Sequence, residues 1–91
     1  MYKIEVTKAF QEDIGRLDRK VARLVLDKAE WIAEHPEAAR FPLRHMPEDL
    51  RGLHKYRAGD YRMFFWIAHE RQHMVLYRVL HRSEAYRQLG L

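Results

Sequence analysis

The stretch LHKYRAGDYRMFFWIAHERQHMVLYRVLH, residues 53–81, decides the fold. Within it, Leu53 to Arg57, Tyr61 to Ala68 and His73 to His81 are rich in aromatic and β-branched residues. Turn signals separate them at Ala58-Gly59-Asp60 and at His69-Glu70-Arg71-Gln72. Three consecutive antiparallel strands follow. With four-residue turns, Ala68 pairs with His73, Arg57 falls opposite Arg62, and Arg62 falls opposite Val79 with His81 as its diagonal neighbour. Side chains alternate along a strand, so this register predicts two faces. One carries Lys55, Arg57, Arg62 and His81 at one end, followed by Phe64, Trp66, Val75 and Tyr77. The other carries Met63, Phe65, Ile67, Met74, Leu76 and Leu80, an apolar set suited to packing under helices. A one-residue slip would exchange the faces of a strand.

Upstream, Tyr2 to Val6 has strand composition, and Thr7 can N-cap a short helix with Phe10, Ile14 and Leu17 on one face. Asp18 is a second cap, after which Val21, Leu24, Val25, Ala29 and Ile32 recur at helical spacing until Glu34-His35-Pro36 stops the run. An antiparallel helical hairpin is expected. From Pro36 to Gly52 no period survives three prolines, which predicts a connection lying over the surface. Downstream, Ser83 is expected to cap a last short helix through Leu89, ended by Gly90. The chain is therefore read as one α+β domain over residues 1–91. A strand and a helical hairpin pack on a twisted, mainly antiparallel four-stranded sheet, with a short C-terminal helix.

Composition narrows the function. The 91 residues leave material for one core, and 47% hydrophobic content supplies it. The absence of cysteine excludes disulfides and thiol catalysis, and agrees with a reducing, cytoplasmic setting. No segment has the apolar length of a signal peptide or a membrane span, so no membrane partner is expected. The histidines lack the spacing of a helical zinc site, and neither a phosphate loop nor a nucleotide-binding glycine pattern is present; no metal or cofactor is expected. Seventeen Lys and Arg against thirteen Asp and Glu give a net charge of +4, which favours a nucleic acid or an acidic protein as partner.

Leu50-Arg51-Gly52, Gly59-Asp60-Tyr61-Arg62-Met63 and His81-Arg82-Ser83-Glu84-Ala85-Tyr86 resemble the carboxy-terminal half of RelE/ParE-superfamily toxins, and the element order resembles that family over nearly the whole chain. The resemblance implies a RelE-like fold and ribosome-dependent, metal-independent cleavage of messenger RNA. Attack by a ribose 2′-hydroxyl needs an acceptor for its proton, cations around the phosphorane-like transition state and a donor for the departing 5′-oxygen. Arg62, with a planar fork that binds two oxygens at once, is the first candidate to hold the phosphate. Lys55 stands where the family has a catalytic lysine. His81 is the natural acid or base, because a histidine's ordinary pKa lies nearest neutrality. Arg57 and Arg82 add phosphate contacts, and Tyr86 stacks on a base or orients the hydroxyl. Leu53 occupies a position where the resemblance leads one to expect a second lysine, and Glu48 is a possible carboxylate base, as in one subgroup.

Plainer roles stand beside these. Lys55 and Arg57 also suit a solvated strand face, His81 suits a cap of the last strand or helix, and Tyr86 suits the core of that helix. Phe64, Trp66 and Tyr77 suit either a wall for RNA bases or a surface covered by a partner. The resemblance further implies an acidic antitoxin that folds over the cationic face and carries the operator-binding domain, so that DNA contact is indirect. Two other functions fit the same resemblance: a ParE-like inhibitor of DNA gyrase, and an inactive toxin acting as antitoxin-binding co-repressor.

Overall fold

Thr7 is where the first strand becomes the first helix. The computed structural model describes all 91 residues, Met1–Leu91, and begins with β1 (Lys3–Val6), α1 (Lys8–Arg16) and α2 (Arg19–Glu34). The Thr7 hydroxyl accepts the Phe10 N–H at 3.0 Å and donates to the Tyr77 carbonyl at 2.7 Å, while its own N–H donates to the Leu76 carbonyl at 3.0 Å. One side chain thus caps α1 and fastens it to the sheet. Thr7→Ala is expected to cost about 1–2 kcal/mol, the loss of a cap with a second hydrogen bond; urea denaturation checks it, and a change below about 0.5 kcal/mol would show that solvent replaces both bonds. Asp18 caps α2 by accepting the Val21 N–H at 3.1 Å, as its position predicts. Leu17 and Asp18 are both extended, so the helices join without a loop.

The remaining elements are β2 (His54–Ala58), β3 (Tyr61–Ala68), β4 (His73–His81) and α3 (Arg82–Leu89). The sheet order is β1-β4-β3-β2, with β1 parallel to β4 and the other pairs antiparallel. This is the expected α+β architecture. Both turn registers match expectation, with Ala68 opposite His73 and Arg57 opposite Arg62. Between them β4 holds one residue more than alternation allows. Phe64 pairs with Arg78 but Phe65 pairs with Leu76, so Tyr77 is left over as a bulge. Arg62 consequently lies opposite Leu80, not Val79. The bulge also exchanges the faces beyond it: Val79 enters the helix-side core and Leu80 leaves it.

Phe10, Val25, Ala29, Ile32 and Ala33 of the two helices pack against Met63, Phe65, Met74, Leu76 and Val79. Leu24, expected in that stripe, is 39% exposed. A second core fills the other face, where Leu50, Leu53, Phe64, Leu80 and Ala85 are buried together, flanked by Leu43, Met46, Trp66 and Tyr77. The connection between α2 and β2 is therefore a cover with two 3-10 turns, Pro36–Ala38 and Glu48–Leu50, and not a bare surface loop. Trp66 Nε1 ties it down by donating to the Arg51 carbonyl at 3.1 Å. Phe64 is wholly buried beneath it, which by itself stabilises the fold by about 1.5–3 kcal/mol. Leu53 is equally buried, which explains an apolar residue where a lysine was expected.

Asp13, 5% exposed on the apolar side of α1, is held by Arg78 of β4 in two bonds, from Nε at 2.6 Å and Nη2 at 3.0 Å. The same carboxylate accepts the Val79 N–H at 3.1 Å, so α1 is pinned to the strand directly beyond the bulge. The hydrogen bond to Asp13 raises the Arg78 guanidinium's already high pKa. No helix is long and apolar enough to cross a membrane.

Candidate functional site

The β2–β3 hairpin brings Arg57 and Arg62 directly opposite one another. Like charges so placed repel. Here a turn carbonyl receives both: Gly59, at φ 62°, lets the backbone reverse so that its oxygen accepts Arg57 Nε at 3.4 Å and Arg62 Nη1 at 3.0 Å. Arg62 Nη1 also reaches the Tyr61 carbonyl at 3.0 Å. Lys55, two residues before Arg57 on the same strand face and opposite Phe64, is exposed. None of Lys55, Arg57, Arg62 or Arg82 has a carboxylate within ion-pair distance, unlike Arg16, Arg51, Arg78 and Arg87. Unpaired cations on one hairpin concentrate positive potential where a phosphodiester could sit.

His81 is not part of that face. Because of the bulge it lies opposite Tyr61, one position out of phase with Arg62, and its ring meets the Tyr61 ring edge-on at 5.4 Å. It also caps α3: Nδ1 accepts the Ser83 N–H at 3.3 Å and lies 3.0 Å from the Ser83 hydroxyl. The cap is thus His81, and Ser83, expected in that role, is inside the helix. An accepting Nδ1 assigns the hydrogen of the neutral ring to Nε2. His81 nevertheless stays at the same end of the sheet as the arginines, since Tyr61 adjoins Arg62 and the Arg82 N–H donates to the Asp60 carbonyl at 2.8 Å.

Arg82 opens α3, and Tyr86, four residues on, shares its side of the helix while Ala85 faces the core. Tyr86 is 74% exposed, which removes the reading of it as a core aromatic. Glu84 accepts from Gln88 and Arg87, and these bonds, in that order, hold its carboxyl below the ordinary range. Glu48 sits exposed beside Arg51, 3.6 Å away. The aromatics expected to line the face divide: Phe64 is core, while Trp66 and Tyr77 are half-buried against each other at 4.9 Å. Sequence reasoning missed the Asp13–Arg78 pair. Its signal was present, for Asp13 is the lone acid on the stripe of Phe10, Ile14 and Leu17.

His54, at the start of β2, is a second titratable group that sequence reasoning passed over. Burial, and then the nearby charge of His69, push its pKa below the ordinary 6.5. The unfolded chain therefore takes up a proton that the folded one resists, so stability present above about pH 6.5 is lost as pH falls towards the folded value. The melting temperature is expected to fall between about pH 7.5 and about pH 5.5, and His54→Phe to flatten that slope. An unchanged slope in the variant would assign it to other groups.

Residues 4–86 match the family of ParE toxins of type II toxin–antitoxin systems, parDE. Toxin RelE of Mycobacterium tuberculosis is 30% identical over 87 residues, covering 94% of this chain and 87% of that one. The fold superposes on the RelBE2 toxin–antitoxin complex of M. tuberculosis with a TM-score of 0.75 at 28% identity, covering 89% of this chain and 98% of that one. Against the isolated E. coli RelE toxin the TM-score is 0.72 at 18% identity, with 98% and 99% of the two chains covered, a likeness of fold alone. With an 83-residue family match and a homologous toxin that agree with the α+β topology, the chain belongs to the ParE toxin family of type II toxin–antitoxin systems, within the RelE/ParE superfamily.

Proposed function

We propose that this toxin stops translation by cutting messenger RNA in the ribosome through 2′-hydroxyl attack. The observation that supports it is the cluster of Lys55, Arg57 and Arg62, free of acidic partners on one hairpin. The 2′-oxygen attacks the adjacent phosphorus, the bond to the 5′-oxygen breaks, and the products are a 2′,3′-cyclic phosphate and a 5′-hydroxyl. Arg62 holds two non-bridging oxygens, and Lys55 and Arg57 stabilise the charge they gain. As the imidazolium, His81 gives its Nε2 hydrogen to the departing 5′-oxygen and is left as the neutral imidazole, while a water carries the proton of the attacking hydroxyl to solvent. Arg82 contacts a flanking phosphate and Tyr86 stacks on a neighbouring base. The ribosome's part is to present the message as a single strand across the hairpin.

The M. tuberculosis and E. coli relatives occur in complexes with antitoxins. By extension, an acidic antitoxin segment covers the cations of this chain, keeps it inactive in the cytoplasm, and contacts operator DNA on its behalf. Gyrase inhibition is the second reading, favoured by the match to a family described by its ParE toxins. A reconstituted translation reaction separates them. Primer extension should find cuts within ribosome-bound message that persist in excess chelator. Intact message and unimpaired translation, with supercoiling by purified gyrase blocked, would transfer the function to the gyrase reading.

A further inference from the structure

The outer edge of β2 and the segment following α2 enclose a cavity of about 270 Å³ that the cleavage mechanism does not use. His54 and Phe65 form its floor, stacked at 5.3 Å with their planes 15° apart. Phe41, 85% exposed, stands at its rim with Arg40 and Lys55. His54 is 7% exposed and its ring forms no hydrogen bond within the chain, yet no side-chain polar atom is sealed away unsatisfied. Its nitrogens therefore keep some access to solvent, and His54 lines this cavity. The imidazole leaves its hydrogen-bonding capacity unused within the chain, a capacity that a phenylalanine in the same stack would not have. An exposed phenylalanine likewise contributes nothing to the core. Both residues suit a flat, polar-edged ring, and the two cations suit a phosphate attached to it.

We propose that this cavity is a nucleobase subsite, which takes the base of a nucleotide flanking the scissile phosphate. Phe41 covers the ring's face, a His54 nitrogen meets its hydrogen-bonding edge, and Arg40 and Lys55 hold its phosphate. The proposal rests on the RNA-cleavage reading, because Lys55 belongs to both sites and carries the strand from one to the other. The volume is near the lower limit for ligand pockets, roughly 300 Å³, and so admits one base and not a larger group. Stacking on Phe41 alone would tolerate any base, whereas a His54 nitrogen at the ring's edge discriminates among them. The subsite therefore confers a sequence preference on the cut.

The test is titration of the four nucleoside 5′-monophosphates, and of ribose 5-phosphate, into the full ¹⁵N-labelled chain without ribosomes. Saturable amide shifts at Phe41, His54, Lys55 and Tyr56 are expected, with one base preferred. Phe41→Ala should weaken that binding about tenfold, the loss of one stacked base, with its melting temperature unchanged because the ring is exposed. His54→Phe should equalise the four bases. Equal binding of ribose 5-phosphate, shifts confined to the Arg57–Arg62 hairpin, or tighter occupation by an acidic peptide bearing one tryptophan than by any nucleotide would overturn the proposal. Failure of the two readings is distinguishable. Base-selective binding with uncut message leaves the subsite and removes the cleavage; cut message without base selectivity removes the subsite alone.

Discussion

Arg62→Ala is expected to slow cutting of ribosome-bound message by about a hundred- to a thousandfold, the usual loss when one charge-stabilising donor is removed from a transition state. Arg62 has no carboxylate within ion-pair distance, and its guanidinium donates only to the Gly59 and Tyr61 carbonyls. Those carbonyls lie at a surface turn and can turn to water, so the variant should lose less than about 1 kcal/mol of stability. The contrast is the content of the prediction. Arg62→Lys keeps the charge and loses the fork, and should recover part of the rate. Single-turnover cleavage beside urea denaturation decides it: a fall in rate matched by a fall in folded fraction would make Arg62 a structural residue, and an unchanged rate would remove the phosphate from this hairpin.

Asp13→Ala should do the reverse, costing about 3–5 kcal/mol of stability without touching the cationic hairpin directly. The substitution leaves the Arg78 guanidinium, which donates two bonds to Asp13, partly buried and unpaired, and orphans the Val79 N–H. Such a loss is a large part of the roughly 5–15 kcal/mol that stabilises an ordinary domain. The double change Asp13→Leu with Arg78→Met removes both charges and is expected to restore most of the loss, because replacing a buried pair by apolar groups is often neutral. If both proteins are equally unstable, the damage comes from the packing of α1 on β4 and not from an uncompensated charge.

These two residues mark what a linear reading can reach. The caps at Thr7 and Asp18, the two hairpin turns and the pairing of Arg57 with Arg62 depend on local residue chemistry, and all were legible. The bulge at Tyr77 was not. An extra residue in a strand changes no composition, and Val79 and Leu80 are both apolar, so either could be assigned to the helix-side core. That single residue moved His81 off the face of Arg62 and left it as the cap of α3. The cover over Phe64 was hidden for another reason: Leu43, Met46 and Leu50 follow no period because their segment is irregular, and only the tertiary fold turns them inward. The hairpin cations needed one turn to be right, whereas the site's other half needed the whole length of β4.

The pairing of β1 with β4 also has a temporal meaning. Lys3 meets His73, and Thr7 meets Tyr77 across 70 residues of chain, so β1 leaves the ribosome well before β4, the strand it pairs with. Contacts of such separation form late and slowly. Until β4 emerges, α1 and α2 have no sheet to cover and the Arg57–Arg62 hairpin has no third strand behind it. On the proposed cleavage reading, the cationic hairpin therefore lacks its supporting strand until β4 has been made, which leaves an interval in which an antitoxin can meet an unfinished fold.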